Sequence, residues 1–303
     1  MSKLDQLLED LAYLVNWLSD ERGAGDGHVE PAANPQVFME QWGQFRSLVN
    51  TRKPGSASPE FLRAQDRVLK MMVAEKGLVR ADDLPRLASD KRLSIWRGDI
   101  CALECDAIVN AANSALLGCW IPGHDCIDNA IHTFAGVQLR LECARIMQQQ
   151  GYEEPVGHAK VTSAYNLPAK HIIHTVGPMC KEAPTVEQRK QLADCYVSCL
   201  DAAAREGFKS VTFCCISTGA FGFPQAEGAG IATQAAQAWL DAYDAAAGSA
   251  GATDAESGAA GAHDMHVIFN VFTADDERHY RDRLGEDDPS TGSEEAPKAT
   301  EVL

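Results

Sequence analysis

From Leu93 onward the chain repeats one pattern, a short run of β-branched and apolar residues followed by a longer stretch with helical spacing. The runs are LSIW, AIVNAA, AKVTSAY, HIIHTVG, VTFCCI and HVIFNVF, apolar on both sides rather than alternating. A strand can carry apolar side chains on both faces only where both are covered, so these runs belong to a sheet sandwiched by helices. Helical stretches fall between them at about 126–149, 186–206 and 225–243. That order of elements predicts an α/β fold of three layers, α/β/α, around a mixed, mostly parallel central sheet. Ligands of such sheets sit at strand C-terminal ends, where loops feed helix N-termini.

The chain divides into three parts. Residues 1–90 read as an N-terminal helical extension: Leu4, Leu7, Leu8, Leu11 and Val15 recur at helical spacing. Phe38, Trp42, Phe45 and Leu48 do so again after Pro35, and a third helix follows at 59–76. No catalytic constellation is visible there, and the extension is expected to pack on the main domain. Residues 91–285 form that domain, with an Ala/Gly/Ser insertion at about 245–263 that extends a helix and then loops flexibly. Residues 286–303 form an acidic, Pro-bearing tail, nearly free of apolar side chains and expected to be disordered.

A formal net charge of −16 argues against binding nucleic acid or an anionic membrane. A small anion is not excluded, because backbone N–H groups bind one against the average field. The opening MSKLDQLLEDLAYLV has acidic residues where a signal peptide has an apolar core, and no run approaches the roughly 18 apolar residues of a membrane span. Ten cysteines without an export signal read as reduced thiols, most of them expected to be buried, and the expected location is the cytoplasm.

Four segments carry chemistry. Arg97-Gly98-Asp99-Ile100 follows a strand, and the Asp carboxylate beyond the glycine turn can accept from an exocyclic amine such as that of adenine; a strand-ending turn explains it equally. Ile108-Val109-Asn110-Ala111-Ala112-Asn113 ends a buried strand with two asparagines, one able to serve the local backbone and the other a ligand hydroxyl. In Cys119-Trp120-Ile121-Pro122-Gly123-His124-Asp125-Cys126, three soft or borderline donors within eight residues suit one zinc ion with a fourth position open. The loop runs into a helix whose first turn contains Asp128. Ile216-Ser217-Thr218-Gly219-Ala220-Phe221-Gly222-Phe223-Pro224 joins a strand to a helix, and its N–H groups can wrap a pyrophosphate while Phe221 or Phe223 lies against a ribose. It matches neither a Walker loop nor a dinucleotide fingerprint.

Together Gly98-Asp99-Ile100, Val109 to Asn113, Leu116-Leu117-Gly118, Asp128-x-Ala-Ile, His174-Thr175-Val176-Gly177-Pro178 and Ser217 to Pro224 resemble a macrodomain, the ADP-ribose-binding fold, across about residues 90–285. Where most macrodomains have a Gly-rich stretch this chain has CWIPGHDCI, which is similar to the zinc-containing subgroup with its Cys, His and Cys ligands and N-terminal helical extension. The resemblance implies an enzyme that removes ADP-ribose from mono-ADP-ribosylated proteins, some of them lipoyl-carrier proteins. It implies one zinc ion on Cys119, His124 and Cys126. Asp99 and the Ile100 N–H would take adenine, with Phe272 packed on it unless Asn270 or Val271 faces that way. Ser217, Thr218, Gly219, Ala220 and Phe221 would cradle the pyrophosphate, and Phe223 would flank the distal ribose. Cys126, Ile127, Asn113 and Asp128 would surround that ribose, the last two as catalytic groups.

The bond at issue would join C1″ of the distal ribose to an Asp or Glu carboxylate. A carboxylate leaves with little protonation, so the second acid of a glycosidase pair is unnecessary. Zinc could act as Lewis acid, template or nucleophile generator, and Asp128 could position or deprotonate the water. Two other classes remain open: a reader that binds ADP-ribose without turnover, and a hydrolase of small derivatives such as O-acetyl-ADP-ribose. His132, His158, His171 and His174 are expected to be structural.

Overall fold

The computed structural model describes residues 2–23, 27–250 and 265–287. The extension folds as three helices, α1 (Lys3–Glu21), α2 (Pro35–Asn50) and α3 (Pro59–Glu75), each started by a readable cap. Ser2 and Asp5 form a capping box on α1, and Asn34 and Ser58 cap α2 and α3 with a proline just inside each. Of the residues that helical spacing picked out, Leu4 is 59% exposed, whereas Leu7, Leu11, Val15, Trp42 and Phe45 are buried, as are Phe61 and Val68 on α3. The buried ones belong to the same apolar cluster as the sheet. A two-stranded parallel ribbon of β1 (Val79–Arg80) and β3 (Leu103–Glu104) ties the extension to the domain.

The central sheet contains β2 (Leu93–Arg97), β4 (Ala107–Ala112), β5 (Ala159–Ser163), β6 (His171–Val176), β7 (Ser210–Phe213) and β8 (His266–Val271). Its order is β2-β8-β7-β4-β6-β5, parallel throughout except for β5, which runs antiparallel to β6 at one edge. Ile108, Val109, Ile172, Ile173, Val211, Val267 and Ile268 are fully buried, as strands covered on both faces require. On one flank α6 (Val186–Glu206), α7 (Gln225–Ala250) and α8 (Ala274–Leu284) pack on one another, α6 also on β6 and α8 on β2 and β8. α4 (Ile127–Ala135) and α5 (Val137–Gln150) pack on β4 and β5, and α2 and α3 dock on α4.

All six expected strands form. The helix expected over 126–149 is instead two, because Gly136 takes φ 100 and ψ 174, an extended left-handed geometry that no helix interior accommodates. The expected insertion begins as the end of α7, and residues 251–264 lie outside the described residues, as do 288–303 of the expected tail. No helix among the described residues is long and apolar enough to cross a membrane. All ten cysteines are free thiols, seven of them buried.

Because β2, β4, β6, β7 and β8 run the same way, their C-terminal ends share one edge of the sheet. Asp99 follows β2, Asn113 follows β4, Ser217 to Phe221 follow β7 and Phe272 follows β8.

Candidate functional site

Asp128 occupies the centre of this edge. It lies in the first turn of α4, buried, with Oδ1 accepting from Asn110 Nδ2 at 2.8 Å and Oδ2 from Asn113 Nδ2 at 3.3 Å. Burial is the dominant influence on this carboxyl and raises it to about 6, against the two asparagine bonds and the nearby Arg140 charge, which favour the anion. Asn113 is half-buried, also donates to Gly118 O at 3.0 Å, and accepts from the Ala115 N–H at 3.1 Å. The division of labour expected of the two asparagines differs from the one observed. Asn110 serves no backbone group among the described residues; it bonds Asp128 and His174.

The loop before α4 brings its three donors together. Ligand atoms of Cys119, His124 and Cys126 lie within 4.8 Å of one another, with Cys119 Sγ 3.5 Å from His124 Nδ1. Cys126 is the N-cap of α4, its Sγ accepting from the Asn129 N–H at 3.4 Å. Burial pushes the Cys126 thiol up to about 12, with Cys119 and Asp128 adding to the effect against the Asn129 bond. Cys119 thus adds to the cost of ionising Cys126, and a divalent cation between the two sulfurs would reverse that balance. The donor set therefore fits a thiophilic metal ion.

The extension, expected to be no more than an appendage, holds this loop. Asn50 at the end of α2 accepts from the Gly123 N–H at 3.0 Å and donates to Thr133 on α4 at 3.0 Å. Asn129 Nδ2 reaches Ile121 O at 3.1 Å, and the guanidinium of Arg140 lies 4.5 Å from the Trp120 ring while its Nη1 donates to three carbonyls at the end of α2. Sequence gave no sign of this, because the partners are separated by some 70–90 residues.

At the other end of the edge, Asp99 Oδ1 accepts from the Cys101 N–H at 2.9 Å, and Oδ2 pairs with Lys76 Nζ at the end of α3. Lys76 also lies 4.0 Å over the Phe134 ring. Ile100 is buried beside Asp99. Phe272 stands 85% exposed one residue past β8, whose Val271 pairs with Arg97, so the ring is placed next to the Gly98-Asp99 turn. Val271 is buried, and Asn270 donates to the carbonyls of Trp96 and Gly98, which leaves neither to face a ligand.

Between the two ends, Ser217 adopts φ 65 and its buried Oγ has no partner among the described residues. The Ser217 carbonyl accepts from the Phe223 N–H at 2.9 Å and that of Gly219 from Gly222 at 2.9 Å, closing the loop on itself. The N–H groups of Gly219, Ala220 and Phe221 take no partner among the described residues, and Thr218 Oγ1 is turned back to Cys215 O. This is a backbone cradle for an anion. One expectation fails here: Phe223 is 1% exposed and packs in the core, so the partly exposed Phe221 is the aromatic left to meet a ribose.

The macro domain family model matches residues 109–232. A protein-ADP-ribose hydrolase of Treponema medium is 46% identical over 238 residues, covering 78% of this chain and 84% of its own. The chain belongs to the macrodomain family. A protein-ADP-ribose hydrolase of Staphylococcus aureus is 42% identical over 278 residues, covering 91% of this macrodomain chain and 96% of its own. That match leaves under a tenth of the chain outside it and must take in most of the N-terminal helices. Among solved structures, the Trypanosoma brucei macrodomain in complex with ADP-ribose is 27% identical, with a TM-score of 0.55 over 79% of this chain and 95% of that one. The Oceanobacillus iheyensis macrodomain with ADP is 33% identical, with a TM-score of 0.52 over 64% of this chain and 90% of that one.

Proposed function

We propose that this macrodomain is a protein-ADP-ribose hydrolase that removes mono-ADP-ribose from Asp or Glu side chains, with zinc held by Cys119, His124 and Cys126. One observation carries the reading: Asp128, oriented by two asparagines, lies two residues from the Cys126 donor, at the strand ends where an anion cradle also opens. The names of the relatives support it.

Asp99 accepts the adenine amine, the Ile100 N–H gives to a ring nitrogen, and Phe272 covers the base. The N–H groups of Gly219, Ala220 and Phe221 wrap the pyrophosphate, with Ser217 and Thr218 lining the same loop. Cys126, Ile127 and Asn113 border the distal ribose, Asn113 through a hydroxyl. Asp128 orients a water against C1″ and takes its proton, while the bond from C1″ to the protein carboxylate breaks and that carboxylate leaves with the electron pair. The anion is a good leaving group, so no second acid is needed. When bound, zinc supplies Lewis-acid polarisation at the ribose end.

The test is release of free ADP-ribose from a glutamate-linked mono-ADP-ribosylated protein, a lipoyl-carrier protein included, before and after chelation. Release that chelation abolishes and zinc restores is the expected result. Tight ADP-ribose binding without release from any linkage would make the protein a reader, and release from O-acetyl-ADP-ribose alone would move the substrate to small derivatives.

A further inference from the structure

Behind Asp128 lies a group of buried polar side chains that the reaction above does not touch. Asn110 on β4, His174 on β6 and Thr162 on β5 follow one another across three neighbouring strands, and all three are buried. Asn110 Nδ2 is 2.8 Å from Asp128 Oδ1 and 3.1 Å from His174 Nδ1. On the far side of the ring, His174 Nε2 is 2.9 Å from Thr162 Oγ1.

Donor and acceptor chemistry fixes the direction of each bond. A carboxylate only accepts, so Asn110 turns its NH₂ toward Asp128. The same NH₂ gives its other hydrogen to His174 Nδ1, which must then be the bare nitrogen. Burial depresses His174 to about 3, so the ring is neutral and carries one N–H. That N–H is on Nε2 and donates to Thr162. Asn110 Oδ1 has no partner among the described residues, so no other bond chooses which way the amide faces. With the opposite tautomer of His174, Nδ1–H would draw Asn110 Oδ1 toward the ring and set the amide against turning its NH₂ to both neighbours.

We propose that His174 and Thr162 are positioning residues for the hydrolytic step: through the Nε2–H tautomer they set the orientation of the Asn110 amide, which holds the Asp128 carboxylate toward the cleft. The proposal rests on the reading of Asp128 as the group that acts on water. It competes with another use of the same side chains, since ligand atoms of His132, Cys143 and His174 lie within 4.8 Å of one another and both buried ring nitrogens of His132 lack a hydrogen-bond partner among the described residues, Nε2 lying 3.6 Å from Asp128 Oδ1. A metal there needs a bare His174 nitrogen, and the one bare nitrogen already faces Asn110.

Nitrogen NMR of the histidine-labelled, zinc-loaded protein reads the tautomer without reference to activity, and a proton on His174 Nε2 is expected. Thr162→Val, which keeps the shape and removes the acceptor, is expected to lower kcat roughly tenfold on the glutamate-linked substrate with Kd for ADP-ribose changed by less than about twofold. Thr162→Ser is expected to recover most of the loss. A Cys119→Ser/Cys126→Ser double variant is expected to hold no zinc. A proton on Nδ1, unchanged kcat in Thr162→Val, a parallel fall in kcat and ligand affinity, or one equivalent of zinc retained by the double variant would each overturn the proposal. Failure of the Asp128 reading is separable: Asp128→Asn would then keep its kcat while the His174 tautomer stayed as expected.

Discussion

Arg140→Met tests how far the helical extension is part of the site. The methionine keeps most of the apolar stem and removes a buried guanidinium whose Nη1 donates to the carbonyls of Val49, Asn50 and Arg52 at 3.0, 2.8 and 2.8 Å. Burial lowers this group to about 10, so it stays charged at neutral pH. A hydrogen bond from a charged donor contributes about 1.5–3 kcal/mol, and a buried acceptor left bare costs about 1–3 kcal/mol. The Val49 carbonyl keeps the N–H groups of Thr51 and Arg52, so the carbonyls of Asn50 and Arg52 are the two left bare. Losing the stack on Trp120 adds about 1 kcal/mol. The sum is a destabilisation of about 4 kcal/mol, which lowers Tm by about 7 °C for a folded chain of this size. The same change frees the loop from Cys119 to Cys126, so zinc affinity is expected to fall about tenfold, or about 1.4 kcal/mol, in competition with a chromophoric chelator. Thermal and urea unfolding read the first effect. A Tm within about 2 °C of the parent would refute the argument that this guanidinium joins the extension to the loop.

Gly118→Ala is expected to cost about 2–4 kcal/mol in urea unfolding, because φ is 76 and an added Cβ would meet the His132 ring 2.8 Å away. His266 is buried, hydrogen-bonded to Ser94 Oγ at 2.8 Å, and depressed to about 3 by burial. Its folded pKa lies below its unfolded one, so its contribution is complete above about pH 6.5 and is lost as pH falls toward 3. Between pH 8 and 5 the parent is therefore expected to lose about 2 kcal/mol more than His266→Gln, measured from urea midpoints at both pH values. Phe272→Ala is expected to weaken ADP-ribose binding by about tenfold in calorimetry while ribose 5-phosphate binding stays unchanged, since only the former carries the base.

The sheet was legible because its inner strands β4, β6, β7 and β8 are buried on both faces and so spell nearly continuous apolar runs, while edge strand β5 is only half-buried. Local chemistry of the loops was legible for a related reason: Cys119, His124 and Cys126 are close in sequence, and so are the residues from Ser217 to Phe221. Gly136 could have been read as the break between α4 and α5, but the closeness of Gln65 and Gln138, which leaves no room for a Cβ there, is a tertiary feature. α8 escaped the helical periodicity because its sequence, ADDERHYRDRL, is almost wholly charged and buries only Asp276, Tyr280 and Leu284, although Thr273 and Asp276 form a capping box. Phe223 looked like a ligand contact because loop aromatics often are, yet the loop closes on its own carbonyls and turns that ring inward. Asn110 and His174 gain their meaning from register alone, being paired across β4 and β6 while 64 residues apart in the chain.

The central claim is that Asp128, held by Asn110 and Asn113 beside the Cys/His/Cys donors, acts on the bond to the distal ribose. The most direct measurement is single-turnover release of ADP-ribose from a glutamate-linked protein by zinc-loaded parent and Asp128→Asn, with ADP-ribose affinity measured on the same samples. The account predicts that the variant loses about 100-fold or more in rate while affinity changes by less than about tenfold. Parental turnover in Asp128→Asn, or a parent that binds ADP-ribose and releases none from the modified protein, would contradict it.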